Sequence, residues 1–263
     1  MSPLRILGLA GLLVLALLAV IGPDITGFDP ARQDLRAILV PPGTDGHILG
    51  TDHLGRDLAA RLVEGARITL ALAAFAVASA ALVGVGLGIL AGWTGGAIDG
   101  ALVTLSNGVL ALPGLLLVLL MAAIVPDSWW TLYAGLALTL WVEFFRLSRT
   151  RSKVILRSPA VQAAHMMGLP RTHIVSRHLW PDLSPQILSL AAFGAATAVT
   201  ALATLGFISV GLRPPTPEWG IMMSELLPSW RIAPWAIGAP ILALAFTVLS
   251  LRLAAGSQSE TEA

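Results

Sequence analysis

Cysteine is absent from the 263 residues, so neither disulfides nor thiolate chemistry can serve this chain. Lysine is nearly absent, with Lys153 the only one. No Gly-x-x-x-x-Gly-Lys run precedes it, so the chain has no loop of the kind that cradles a nucleotide's phosphates. Any ATP the chain works with must sit on another polypeptide. Charge is scarce as well: 12% of residues are acidic or basic, against about 25% in soluble domains. A net charge of +1 gives no case for nucleic acid as a partner. What is abundant is apolar surface, at 56% hydrophobic residues and a mean hydropathy of +0.82. Such a chain has too little polar surface to cover a globule in water, and the lipid bilayer is the partner its composition calls for.

A helix needs about 20 mostly apolar residues to cross a bilayer. That length predicts an all-α polytopic membrane protein with about six transmembrane helices, over 4–21, 68–91, 101–125, 131–147, 186–210 and 234–253. The first run follows a lone Arg5, as a signal peptide would. The sequence after it, Val20-Ile21-Gly22-Pro23, offers no small-x-small cleavage site, so a retained helix is expected. Between the spans lie an external cap segment, 22–67, a cytoplasmic loop, 148–185, and an external segment, 211–233. The last holds five prolines over Leu212–Pro234 and is expected to dip back towards the membrane, buried in protein.

Basic residues set the orientation. Arg149, Arg151, Lys153, Arg157, Arg171 and Arg177 crowd the loop after the fourth span, against Asp182 alone. That loop is expected in the cytoplasm, and both termini with it. The cap segment carries five arginines but also seven acidic residues, and a segment of that length crosses largely regardless of charge.

The basic loop has its own pattern. Ser158-Pro159 is a helix start, and Gly168 followed by Leu169-Pro170 a helix stop. A second short helix is expected from Arg171 to Trp180, stopping at Pro181. Ala160, Ala164 and Gly168 fall on one face, nearly bare of side chain, where another surface can approach. From the residues alone, docking on a partner protein and resting on the membrane surface both remain open, since each needs an apolar face.

Gln162-Ala163-Ala164, then Gly168, then Arg177-His178-Leu179-Trp180-Pro181 resembles the "EAA" loop of ABC importer permeases. In that family the loop forms coupling helices that dock into a groove on the ATPase subunit. The family usually has glutamate where Gln162 stands, a change that removes a charge but keeps the length and an acceptor. Two further runs look like one of the two permeases of peptide and nickel importers. They are Gly50-Thr51-Asp52-His53-Leu54-Gly55-Arg56-Asp57 in the cap and Pro214-Pro215-Thr216-Pro217-Glu218-Trp219-Gly220 after the fifth span. The family often has an arginine and an aspartate in the third span, aligned here with Thr104 and Asn107. The resemblance covers about Asp29 to Leu249.

The resemblance implies a type I ABC importer permease fold without catalytic residues, cofactor or metal of its own. It implies a homologous permease as heterodimer partner, two ATPase subunits and an extracytoplasmic solute-binding protein. The cargo it implies is a dipeptide, an oligopeptide, nickel or a metal chelate. The competing class is an ATP-independent secondary transporter, which would tend to show inverted repeats and midplane charges. No repeat is visible, and Glu143 is the one acidic residue inside a span.

Other residues have plainer readings. Asp52, Arg56 and Asp57 are expected to form a hydrogen-bonded turn, with Gly50 and Gly55 supplying the backbone bends. His165, His173 and His178 are spaced too irregularly for a metal site. Glu143 is expected to pair with Arg146 or Arg149 at helical spacing. Trp129, Trp130 and Tyr133, and similarly Trp219, Trp230 and Trp235, suit an aromatic belt at the outer face.

The orientation is directly testable. A reporter active only in the cytoplasm, fused after Ala263, should be active, and one active only outside should be silent. The reverse result would overturn the positive-inside assignment.

Overall fold

The computed structural model describes residues 3–126 and 128–256; the polar tail beyond them lies outside the described residues. Helices account for almost all regular structure: α1 Pro3–Thr26, α2 Leu58–Thr94, α3 Gly96–Leu110, α4 Gly114–Ile124, α5 Trp129–Leu156, α6 Pro159–Met166, α7 Arg171–Ile174, α8 Trp180–Phe207, α9 Trp219–Leu226 and α10 Pro234–Ala255. Among the described residues pairing between extended segments is limited to isolated bridges, Thr44 with His47 and Thr51 with Asp57.

Four helical stretches are long and apolar enough to cross a bilayer, and α3 with α4 makes a fifth if that bent pair counts as one span. The expected six also needs α5. It is 28 residues long, but its aromatic residues and its basic second half dilute its apolarity. The count of six is therefore not reached on length and apolarity alone.

The expected boundaries shift at three places, each for a local reason. Helix α2 begins ten residues before the expected 68, because the Asp57 side chain accepts a hydrogen bond from the Ala60 N–H and caps a helix starting at Leu58. The expected span 101–125 is bent by 81° between α3 and α4. Pro113 stands at the bend, and it cannot supply the N–H that would carry the α3 ladder onward. The helix expected to stop at Pro181 runs on. A π-turn over Val175–Leu179 joins α7 to α8, so a 37-residue helical stretch reaches from Arg171 to Phe207. The π-turn ends just before Pro181, with the Trp180 N–H reaching back to the Val175 carbonyl, and this local change of ladder lets the helix pass a residue that has no N–H.

The interior is organised by α2 against α5. Lipid gives no hydrophobic drive between helices, so small residues that let backbones approach carry the packing. Gly84, Gly88 and Gly92, four residues apart, form one stripe on α2. A Cβ built on Gly88 would stand 2.7 Å from both the Phe145 carbonyl and the Ser148 Cβ. One on Gly92 would stand 2.7 Å from the Ser152 Cβ. Gly86 and Gly108, also within helices, face open space. Helix α1 closes against α10 by the same device, with Gly8 beside Leu253–Ala254 and Gly11 beside Ser250. Trp129, Trp130 and Tyr133 form one aromatic cluster with Phe75. Trp219 does not join a belt; it is 1% exposed.

Candidate functional site

The two motif-bearing regions lie at opposite ends of α2. Thirty-seven residues at 1.5 Å each separate them by about 50 Å.

At the start of α2 the cap motif folds around Asp52. One oxygen of its carboxylate accepts from the backbone N–H groups of Leu54 and Arg56, both at 2.9 Å. The other accepts from Arg56 Nε at 2.6 Å and lies 3.4 Å from Arg61 Nε. Gly50 and Gly55 carry φ of +79° and +71°, and a Cβ on either would collide with a backbone carbonyl, of Val40 and Asp34 respectively. Glycine is required there twice over. The Thr51 hydroxyl accepts from Val40 N–H at 2.9 Å. Besides capping α2, Asp57 lies 2.7 Å from His47 Nδ1, and that imidazole stacks on Phe28.

The motif also reaches a residue that local sequence could not supply. Arg56 and Arg61 both donate to Glu225 of α9, at 3.1 and 2.6 Å, across 169 and 164 residues. Two guanidinium groups, each 1% exposed, are thereby balanced by two carboxylates. Arg61 was legible as a residue next to the motif, but nothing in the sequence pointed to Glu225.

The segment 211–233 is wedged between α2 and α8. Trp219 Nε1 donates to the Leu62 carbonyl at 3.0 Å. Gly65 admits Pro217 and the Trp219 ring, and Gly220 lies against the Ala203 backbone of α8. Glu218 caps α9, accepting from Ile221 N–H at 3.1 Å. Burial pushes its carboxyl up to about 7, against the lowering pull of the N–H groups of Gly220, Ile221 and Trp219. Pro214 and Pro215 stand at the exposed end of this segment. Residues 217–222 are buried, while Leu227, Pro228 and Trp230 beyond α9 are not.

At the far end of α2 lies the basic loop. Ser158 caps α6 through Val161 N–H. Val161 and Ala164 of α6 and Ile174 of α7 are buried together against Trp93, Ile155, Leu156 and Leu169. Arg171 lies over the Trp93 ring at 5.6 Å, a cation–π contact. Ala164 thus faces its own chain, and the bare stripe expected through Ala160, Ala164 and Gly168 is not one exposed face. The face left open carries Gln162, Ala163, Met166 and Met167, with the two methionines 88% and 70% exposed. Gly168 has φ of +71° and open space around it. Arg177 and Pro181 are exposed and His178 is half-buried, while Leu179 between them is fully buried. Among the described residues no group of three metal-ligating side chains occurs, at His165, His173 and His178 or elsewhere.

The ion pairs of α5 differ from those expected. Arg149 and Lys153 both bind Asp99 at the start of α3, with Arg149 Nη2 at 2.8 Å and Lys153 Nζ at 2.5 Å from Oδ2. Arg146 donates to Asn107 at 2.9 Å. Glu143 therefore keeps neither expected partner. Arg149 lies six residues on, turned towards α3, where the Asp99 carboxylate meets both cations. Thr104, aligned with the family's arginine, donates to the Gly100 carbonyl instead.

Residues 84–257 match the family described as binding-protein-dependent transport system inner membrane component. The chain is 31% identical to the dipeptide transport system permease protein DppC of Haemophilus influenzae, over 94% of this chain and 86% of that protein. It is 30% identical to the probable D,D-dipeptide transport system permease protein DdpC of Escherichia coli, over 96% and 84%. It is also 30% identical to the di/tripeptide transport system permease protein DppC of Pseudomonas aeruginosa, over 94% and 83%.

The ion network at the cap predicts a sharp asymmetry between two carboxylates. Removing one partner of a buried pair leaves its cations uncompensated, at about 3–5 kcal/mol. Glu225→Gln should therefore lower the thermal unfolding midpoint in detergent markedly. Glu64→Gln, which breaks only the exposed pair with Arg67, should change stability by less than about 1 kcal/mol. Equal midpoints for the two variants would show that the network holds nothing in place.

Proposed function

The chain belongs to the family of binding-protein-dependent transport system inner membrane components, a multi-pass protein of the bacterial inner membrane, and from that premise we propose its place in the transport cycle. It forms half of a pathway for small peptides, with a homologous permease supplying the other half. Two ATPase subunits bind below, and an extracytoplasmic solute-binding protein delivers cargo above. The peptide cargo is supported by the similar proteins, which are named for dipeptide and di/tripeptide transport. No observation favours nickel or a metal chelate over it. The ATP-independent secondary transporter is set aside by the family itself.

One observation carries the coupling role of the loop. Helix α6 is pinned to its own chain by Val161 and Ala164, yet presents Met166 and Met167 outward. Methionine is adaptable and suits a docking surface that slides and re-packs. Beyond Gly168 and Pro170, the uninterrupted stretch from Arg171 to Phe207 joins this loop to the membrane span. A push on the loop therefore moves α8 as a rod. ATP drives such a movement only by binding one arrangement of the assembly better than another. At the other end of α2, the Asp52–Arg56–Arg61–Glu225 network holds the cap to α9, so the outer surface offered to a delivering protein moves as one piece.

Met166→Glu tests the docking face. The side chain is exposed, so the subunit should stay inserted and stable. Burying that carboxylate in a docked interface without a partner should weaken ATPase binding roughly tenfold to a hundredfold, about 1–3 kcal/mol. The ATPase subunits should be lost on purification and uptake should fall with them. Normal uptake by Met166→Glu with its ATPases still bound would mean that this face is not the coupling surface.

A further inference from the structure

Glu143 sits on α5, the helix that the six-span reading makes a membrane span, and its side chain is exposed on the surface of this chain. Among the described residues no group pairs with it. A lipid-facing carboxylate within a span is costly, and intramembrane acids face a protein interior or a water-filled cavity. The remaining faces of α5 are already taken. Phe144, Phe145 and Ser148 pack on Gly84 and Gly88 of α2, Gly135 packs on Val118 of α4, and Arg149 and Lys153 hold Asp99 of α3.

Helix α8 has a matching open face. Phe193, Thr197, Thr200, Thr204 and Phe207 recur at steps of three and four, and all five are exposed. The other sides of α8 are taken as well. Gly194 lies against Leu140 of α5 and Val77 of α2, Gly206 against α9, and Ser189 Oγ donates to the Ala255 carbonyl of α10. Helices α5 and α8 thus meet each other at Leu140 and Gly194, and both flank α2. Successive helical residues turn by about 100°, so Glu143 lies opposite the α2-facing Trp141 and Phe145, and the threonine face of α8 lies about a quarter turn from Gly194, where α5 and α2 meet it. The three threonine hydroxyls donate to carbonyls four residues back, at 3.1, 2.8 and 2.8 Å. Their donors are spent within the helix, and only acceptor lone pairs point outward. The combined face offers a carboxylate and hydroxyl acceptors between two phenylalanines.

We propose that this face of α5 and α8 is a wall of the translocation pathway, and that Glu143 on it receives the positively charged group of the passing solute. An acceptor-only wall suits a solute rich in N–H donors with a free ammonium, as a short peptide has. Because the hydroxyls need no fixed partner, the wall holds no solute tightly and lets each one leave. The inference rests on the permease reading and adds to it the residues that touch cargo.

The absence of cysteine makes the test direct, since single cysteines can be placed without removing others from this chain. The whole complex, purified with its ATPases and placed in lipid vesicles, is treated with a cationic trimethylammonium methanethiosulfonate and with an anionic sulfonate analogue. Thr200→Cys should react with both reagents. Leu82→Cys, 79% exposed on an apolar face of α2 with no charged side chain to line a water path, should react with neither. The cation-to-anion rate ratio at Thr200→Cys, divided by that of a free thiol in solution, should be about tenfold above one. Adding Glu143→Gln should return it to one. A Thr200→Cys as inert as Leu82→Cys overturns the pathway assignment. A ratio of one before Glu143 is changed shows its charge cancelled by a cation of the partner permease, and overturns its role towards solute, as does a ratio that survives Glu143→Gln. These failures are distinct from failure of the permease reading, which would appear earlier, as ATPases that do not co-purify with the unaltered chain.

Discussion

The close approach of α2 to α5 is the contact on which the rest depends. In lipid, apolar side chains gain nothing by leaving their surroundings, so two helices stay together only through dense van der Waals contact and a few polar bonds. Gly84, Gly88 and Gly92 give α2 a groove without side chains, and the α5 backbone at Trp141, Phe145 and Arg149 lies in it. Three glycines four residues apart hold that contact over two turns, which fixes the helix pair against rotation as well as separation. Nothing flexible lies in the groove: the atoms a side chain would meet are carbonyls, amides and Cβ atoms.

Everything with a functional reading is then hung on the ends and free sides of that pair. At its first end α2 has Arg56 just before its cap and carries Arg61 within its first four residues, and these fasten the cap to α9 through Glu225. At its last end Trp93 forms the floor on which α6 rests, with Arg171 over its ring. On the side of α5 away from α2, Glu143 is exposed, as are Thr197, Thr200 and Thr204 of α8. A displacement at the α6 loop is therefore delivered to a framework whose two long helices cannot slip past each other. The bent α3–α4 pair is tied to that framework by Asp99 and Asn107, which hold Arg149, Lys153 and Arg146.

Much of the fold was legible because apolar length is a property of composition: the runs at 4–21, 68–91 and 234–253 lie inside helices, and 186–210 overruns the end of α8 by three residues. The misses have physical causes. Counting hydropathy across 101–125 passes straight over Pro113, although the missing N–H that bends the chain there is visible in the sequence. The apolar run begins at 68, ten residues inside α2, because Arg61, Glu64 and Arg67 interrupt it, yet Arg61 is paired and buried. Pro181 read as a stop because a π-turn that absorbs a proline has no sequence pattern. At the sites, turns were legible and long-range partners were not. Gly50, Asp52 and Gly55 declare a turn by themselves, but Glu225 joins them from 169 residues away. Helical spacing assigned Arg146 and Arg149 to Glu143, yet Asn107 and Asp99 on a neighbouring helix compete for the same cations and win.

The measurement that bears most directly on this account is a pair of alanine substitutions two residues apart on α2. Gly88→Ala places a methyl group 2.7 Å from the Phe145 carbonyl and the Ser148 Cβ, while Gly86→Ala points into open space. Overpacking of this kind costs about 1–3 kcal/mol, whereas alanine in an open helical position is favoured over glycine by about 1 kcal/mol. The account predicts that Gly88→Ala lowers the thermal unfolding midpoint in detergent, and that Gly86→Ala leaves it unchanged or raises it. Equal midpoints for the two variants, or a lower one for Gly86→Ala, would contradict the claim that the α2–α5 contact organises the protein.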